Sequence, residues 1–263
     1  MSIVTTLRTH LPSRQLPRAI LRRHFRDRLF SSVEIETYSR CNIKCPTCPV
    51  ATDPRPPVKL SEEAWRGIIL DLERLDFSGM LSPHFYNEPF LDDRLFGFLS
   101  FARERLPRAT IEVFTNSTRL TPELFRTFSP IVDAFRITVD QPMIRKALDK
   151  LVSRLTEAER AKLSTRSIQL NGLTNRGGTV VIQGTTMTAP TSCRLPMDYL
   201  VINASGEVLL CYNDYHATVS YGNINTERLS QIWFSPRFLN DRVDIYRGVF
   251  QHRVCQVCES NEC

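Results

Sequence analysis

From Ser32 onward the apolar positions switch repeatedly between a period of two and a period of three to four. Val33, Ile35 and Thr37 alternate with Glu34 and Glu36, the pattern of a strand that runs directly into Cys41. Ser61 is placed to cap a helix with Glu62 and Glu63 in its first turn, and Trp65, Ile68, Ile69, Leu72 and Leu75 then recur at helical spacing. A strand over 81–86 and a helix over 92–106 are expected next. Residues 111–114 predict a third strand, and Thr121 followed by Pro122 marks an N-cap and first helical position. The pattern then predicts a strand over 135–139, a helical stretch from Met143 to Leu163 broken near 153–156, and a strand over 168–170. Such alternation implies a parallel sheet with right-handed crossovers. The stretch from Ser32 to Gly178 is too short for a complete eight-fold barrel, which takes about 250 residues, so a partial, open barrel is expected.

After Asn175-Arg176-Gly177-Gly178 the helical periodicity fades. Short strands over 199–202 and 208–210 flank Ser205-Gly206 as a hairpin, and Ile232 and Trp233 sit on a short helix beginning near Glu227. The chain thus divides into a basic arm (1–31), the barrel (32–178) and a small cysteine-rich part (179–263).

At 263 residues, 42% hydrophobic and 24% charged, the chain has a globular composition, with no apolar run near the roughly 18 residues of a membrane span. The net charge of +6 is concentrated in the arm, where Arg8, Arg14, Arg18, Arg22, Arg23, Arg26 and Arg28 face only Asp27. A solvated amphipathic face explains this. So does a patch for nucleic acid, an anionic substrate or an acidic electron-transfer protein, and charge alone does not choose. Arginines interrupt the apolar residues of the arm, so no secretory signal is read and a cytoplasmic chain is expected.

Cysteines narrow the chemistry most. Of eight, Cys41, Cys45 and Cys48 lie together and Cys193, Cys211, Cys255, Cys258 and Cys263 lie in the last third. In a reducing compartment this bunching favours metal or cluster ligation over disulfides. Four thiolates complete a tetrahedral zinc site or an all-cysteine cluster, and metal-bound cysteines would cross-link a C-terminal part that has few apolar runs. Three thiolates leave a coordination position open, either for chemistry at the barrel mouth or, in a zinc knuckle, for a fourth ligand such as His84.

The spacing Cys41-x3-Cys45-x2-Cys48 after a first strand resembles the diagnostic loop of the radical S-adenosylmethionine superfamily. Supporting segments are similar too. Tyr86-Asn87-Glu88-Pro89 resembles the family's Gly-Gly-Glu-Pro, with Tyr86 and Asn87 in place of glycines. Phe114-Thr115-Asn116-Ser117 resembles its Thr-Asn-Gly segment, Ile137-Thr138-Val139-Asp140 its fourth-strand segment, and Thr47 replaces an aromatic residue. The resemblance implies a partial (β/α)6 open barrel in which Cys41, Cys45 and Cys48 hold a [4Fe-4S] cluster. S-adenosylmethionine would sit on the open iron, with Glu88, Asn116, Thr138 and Asn171 around it, and its reductive cleavage would yield a 5′-deoxyadenosyl radical.

Cys193, Cys211, Cys255 and Cys258 match in order the four-cysteine auxiliary module called twitch, related to the SPASM domain, which implies a second [4Fe-4S] cluster; zinc in the same thiolates is the alternative. Cys263 is left over as a substitute ligand, a hydrogen-atom donor or a terminal thiol. The compact length resembles the aminocyclitol dehydrogenase group, which oxidises or epimerises a secondary alcohol, and Arg176 matches in placement an arginine that contacts substrate there. His84 is a candidate base or a structural strand histidine, and Asp214, with Tyr212 and Tyr215, either lines the space between the clusters or supports the hairpin. The implied partners are a small carbohydrate- or aminocyclitol-like substrate and an acidic flavodoxin or ferredoxin as electron donor, which the positive charge suits. Two other readings stand beside this one: epimerisation or crosslinking of a peptide, and a zinc-stabilised nucleic-acid module.

Overall fold

The computed structural model describes residues 11–139, 141–166, 173–182 and 186–259. The order β5-β4-β3-β2-β1-β6-β7-β8 describes one sheet, with β1 (Ser32–Ile35) inside it, β2 (Met80–Ser82), β3 (Thr110–Thr115), β4 (Ala134–Thr138) and β5 (Leu163–Arg166) on one side, and β6 (Tyr199–Ile202), β7 (Glu207–Leu209) and β8 (Ser220–Asn223) on the other. The first six strands are parallel, and the sixth comes from the C-terminal part: Ser32 is in register with Met80 on one edge and with Tyr199 on the other. β7 and β8 add antiparallel, with Gly206 at φ +84° in the first turn, where a Cβ would meet the Asn225 and Asn223 side chains.

Helices cover one face. They are α1 (Arg18–Phe25), α2 (Glu62–Arg74), α3 (Leu95–Arg105), α4 (Pro122–Phe128), α5 (Pro142–Val152) and α6 (Glu157–Arg160), then α7 (Leu195–Asp198), α8 (Leu229–Trp233), α9 (Pro236–Tyr246) and α10 (Arg253–Gln256). The expected caps form: Ser61 accepts from the Ala64 N–H and Thr121 from the Leu124 N–H. Val33, Ile35, Leu81, Ile111, Val113 and Phe135 pack on Trp65, Ile68, Leu72, Leu99 and Phe125 in one core. Burial of this kind contributes about 1.5–3 kcal/mol per large side chain.

The pattern misplaces three bounds. β2 stops at Ser82 rather than continuing to residue 86, because Pro83 brings no N–H and Asn87 folds the next residues into a loop, accepting from the Phe85 N–H and donating to the Pro83 carbonyl. The helix expected from residue 92 starts at Leu95, since the Asp92 carboxylate takes the Arg94 N–H in a preceding turn. The helical stretch expected to reach Leu163 ends at Arg160, and Leu163 instead opens β5; the 168–170 segment lies outside the described residues.

The described part of the basic arm is docked. Leu21 and Phe25 pack on Met197, Leu239 and Val243. Arg18 grips Asp244 with two bonds of 2.6 and 2.7 Å, and Arg28 reaches Asp198 at 2.6 Å.

Inside the barrel, Glu36 is fully buried and takes the Arg55 guanidinium, the Tyr86 N–H at 3.4 Å and the Ala204 N–H at 3.2 Å. Arg55 in turn lies over the rings of Phe85 and Tyr215. Removing one member of a buried pair leaves the other uncompensated. Glu36→Gln should therefore cost about 3 kcal/mol in chemical denaturation followed by circular dichroism; an unchanged midpoint would show that the pair does not hold these loops together.

Candidate active site

A cavity of about 870 Å3 runs down the inside of the sheet from the strand ends. On one wall stand Cys41, Cys45 and Cys48. Their loop is pinned from both sides: Ile43 packs with Ile144 and Leu148 of α5, Gln141 donates to the Lys44 carbonyl at 2.9 Å, and Asn42 donates to the Thr118 hydroxyl at 2.8 Å. Burial pushes the Cys41 thiol up, so iron would enter by displacing a proton.

Glu88, Asn116 and Thr138 line the same cavity. Glu88 ties the ends of two strands together, accepting from the Thr115 hydroxyl at 2.8 Å, the Asn116 N–H at 2.7 Å and the Phe90 N–H at 3.2 Å. A carboxylate offers about four acceptor positions, so one remains for an ammonium group. Burial holds Glu88 up at about 7. Asn87, standing where the family has glycine, keeps the loop in shape through its own side chain. Asn116 turns its amide toward the cysteine loop, 3.0 Å from Asn42 Oδ1 and 3.8 Å from Cys41 Sγ. Thr138 accepts from Arg166 at 3.1 Å. Asn171, Asp140 and Cys263 lie outside the described residues.

The same cavity is lined by Glu34, His84, Tyr86, Arg166, Arg176, Tyr199 and Tyr212, and Cys48 and Tyr212 both pack on the cluster of Phe85, Tyr86 and Tyr215. Among the described residues no carboxylate pairs with Arg176, and the buried Arg176 Nε and Tyr86 hydroxyl have no hydrogen-bond partner. Orphaned polar groups on a cavity wall are what a polar ligand would satisfy. Glu34 is pushed up to about 7 by burial, against the opposing pull of Arg176 and Arg166.

Two of the candidate residues stand in different surroundings. His84 lines the cavity and leans on Phe114, and burial, then Arg176 and Arg166, push it down to about 3. Asp214 does not reach the cavity; its carboxylate is spent within the hairpin on the Thr218 N–H, the Thr218 hydroxyl and the Val219 N–H. Tyr215 likewise braces a loop, donating to the Asp53 carbonyl at 2.7 Å, and of that trio only Tyr212 lines the cavity. Glu34 is the residue that sequence reasoning passed over. Its alternation with Val33 and Ile35 reads as a solvated strand face, yet the inner face of a parallel barrel is enclosed.

Near the C-terminus Cys211 is buried after β7, Cys255 lies on α10 and Cys258 just beyond it. Burial first, and the proximity of Cys255 and Cys258 next, push the Cys211 thiol well up. The Cys193 N–H bonds the Ile245 carbonyl at the end of α9. Among the described residues no three His, Cys, Asp or Glu side chains converge as ligands of a single metal ion do. Thiolates of a four-iron cluster surround a volume rather than a point, each on its own iron.

Known proteins show the same design. A family model for SPASM, an iron–sulfur cluster-binding domain, matches residues 193–263. The chain is 28% identical over 239 residues to the S-adenosyl-L-methionine-dependent 2-deoxy-scyllo-inosamine dehydrogenase of Niallia circulans, covering 89% of this chain and 94% of that protein. Its fold matches BtrN in complex with AdoMet and 2-DOIA with a TM-score of 0.79 at 28% identity, over 88% of this chain and 94% of that one. Streptococcus suis SuiB bound to precursor peptide SuiA matches at a TM-score of 0.60 and 10% identity, over 81% and 67% of the two chains, a likeness of fold alone. With its cysteine loop at the mouth of an open parallel barrel and a matching iron–sulfur domain behind it, the chain is similar to radical S-adenosylmethionine enzymes that end in a SPASM domain.

Proposed function

We propose that this chain oxidises a secondary alcohol of an aminocyclitol-like substrate to a ketone. The observation that carries this reading is the cavity beside the cysteine loop, lined by a cation (Arg176), a carboxylate held near neutrality (Glu34) and a phenol with no hydrogen-bond partner among the described residues (Tyr86). Such a set suits a compact polyol bearing an amine, and the cavity volume suits a small molecule. When bound, S-adenosylmethionine and the two clusters supply the hydrogen-abstracting radical and the acceptor for the second electron.

The chain's own residues do the rest. Cys41, Cys45 and Cys48 would hold one cluster, and Cys193, Cys211, Cys255 and Cys258 the other. Glu88, Asn116 and Thr138 would receive the methionine and ribose groups. Arg176 orients the hydroxyl through its guanidinium and stabilises negative charge that develops on the oxygen. Glu34 takes the hydroxyl proton, its carboxylate matched to a near-neutral working pH. Neutral His84 offers a hydrogen bond to the ring substituents.

In this reading residues 1–31, 32–178 and 179–263 serve as basic arm, radical-generating barrel and auxiliary-cluster domain, although one sheet runs through the last two. An acidic flavodoxin or ferredoxin of the cytoplasm would deliver the starting electron, with the net charge of +6 favouring the encounter. No helix among the described residues is long and apolar enough to cross a membrane.

Changing Cys41, Cys45 and Cys48 together to Ala should halve the iron content and abolish S-adenosylmethionine cleavage while the second cluster stays; cleavage that persists would refute the assignment. With 2-deoxy-scyllo-inosamine as substrate, kcat of the unaltered enzyme should rise with pH and level off above about 7, as Glu34 loses its proton. In Glu34→Gln, kcat should drop about 100-fold or more and that limb should vanish. A variant that kept the same pH profile would remove Glu34 as the proton acceptor.

A further inference from the structure

The segment that presents Arg176 to the cavity is fastened almost entirely to the loops that carry the C-terminal cysteines. The Asn175 side chain accepts from the Gly178 and Glu259 N–H groups and donates to the Val257 carbonyl at 2.8 Å, while its backbone N–H reaches the Glu259 carbonyl. Arg176, Gly177 and Gly178 all take left-handed backbone conformations, at φ +51°, +64° and +85°. The approach is close enough that a Cβ on Gly177 would lie 2.6 Å from Val254 and 2.9 Å from the Asn213 carbonyl.

At the centre of this contact is Asn213, 2% exposed and two residues beyond Cys211. Its backbone N–H points at Cys211 Sγ at 3.3 Å and its side-chain amide N–H at Cys258 Sγ at 3.7 Å. Its side-chain oxygen accepts the buried Thr174 hydroxyl at 2.8 Å, and that hydroxyl oxygen accepts the Arg176 N–H at 3.3 Å. The orientation of the amide follows from charge. A flipped Asn213 would set its oxygen against a thiolate and lose the acceptor for the Thr174 proton.

We infer that Asn213 is a positioning residue that serves both ends of the reaction at once, tuning the auxiliary cluster through its nitrogen and fixing Arg176 through its oxygen and Thr174. The inference rests on the proposed function in taking Cys211 and Cys258 as cluster ligands. N–H groups aimed at ligating sulfurs favour the more negative, reduced cluster and raise its potential. The same amide plane sets where the Thr174 hydroxyl lies, and thereby the start of the strained turn that carries Arg176.

The two functions separate by substitution. Asn213→Asp keeps the acceptor for Thr174 and loses the N–H donor to sulfur. Thr174→Val does the reverse, and Asn213→Leu loses both without adding charge. In redox titrations monitored by electron paramagnetic resonance, Asn213→Asp and Asn213→Leu should lower the midpoint of the auxiliary cluster, with Thr174→Val at the wild-type value. With 2-deoxy-scyllo-inosamine, KM should rise about two- to tenfold in Thr174→Val and Asn213→Leu, the range expected for one lost hydrogen bond, and stay near wild type in Asn213→Asp. The shared fall in Asn213→Leu excludes added charge as its cause. A loaded Asn213→Asp protein with an unchanged midpoint overturns the inference even if Asn213→Leu does not fold. Wild-type protein with no second cluster overturns instead the reading on which it rests.

Discussion

The pairing of β1 on both of its edges is the constraint on which the rest of the structure depends. One edge belongs to β2 and the other to β6, so a strand that opens the barrel is also the seam to the C-terminal part. Its length is fixed by that double register, and its end delivers the loop of Cys41, Cys45 and Cys48. Its inner face supplies Glu34 and Glu36, one turned to the cavity and one buried in the pair with Arg55. Because β6 leads directly into the hairpin with Cys211, the two groups of cysteines are held by neighbouring strands of one sheet. The distance between the groups is thus a property of backbone hydrogen bonds, which are harder to stretch than a domain interface.

Charge placement follows the same economy. Cations on the outer face have acidic partners on the C-terminal part, as Arg18 has Asp244 and Arg28 has Asp198. Inside the cavity, Arg176 keeps its charge without a carboxylate partner among the described residues and depresses the neighbouring histidine. A cation on a cavity wall that the fold leaves without a carboxylate partner costs stability and is retained where a ligand completes it. Arg242 is the contrast: buried, it lies over the Trp233 and Phe238 rings and donates to the Trp233 carbonyl, so aromatic packing surrounds its charge.

Much of this was legible in the sequence because the signals are local. Ser61 and Thr121 announce their helices through side-chain oxygens three residues from the N–H they accept, and the spacing of Cys41, Cys45 and Cys48 is itself the site. Other features depend on partners far away in the chain. The union of β6 with β1 leaves no mark in either segment's periodicity, since a parallel pair requires no local turn. Glu34 looks like one polar position among several until the curvature of the sheet encloses it. His84 and Asp214 carry the right chemical groups, but their protonation and reach are decided by Arg176 and Arg166 in one case and by Thr218 and Val219 in the other. The departure from Gly-Gly at Tyr86-Asn87 also becomes intelligible only in three dimensions, where Asn87 bonds the loop and Tyr86 packs edge-on against Tyr215 beside the cavity.

The left-handed backbone at Arg176 bears on how this enzyme family can diversify. Asparagine and aspartate accept such a conformation more readily than other side chains, and glycine accepts it freely, whereas β-branched and bulky residues resist it. Random replacement at this position is therefore filtered by backbone geometry before any substrate is encountered. Descendants of this chain that acquire new substrates would do so by passing through that small alphabet, or by altering Glu34, Tyr86 and Tyr199 on ordinary backbone around a turn that stays as it is.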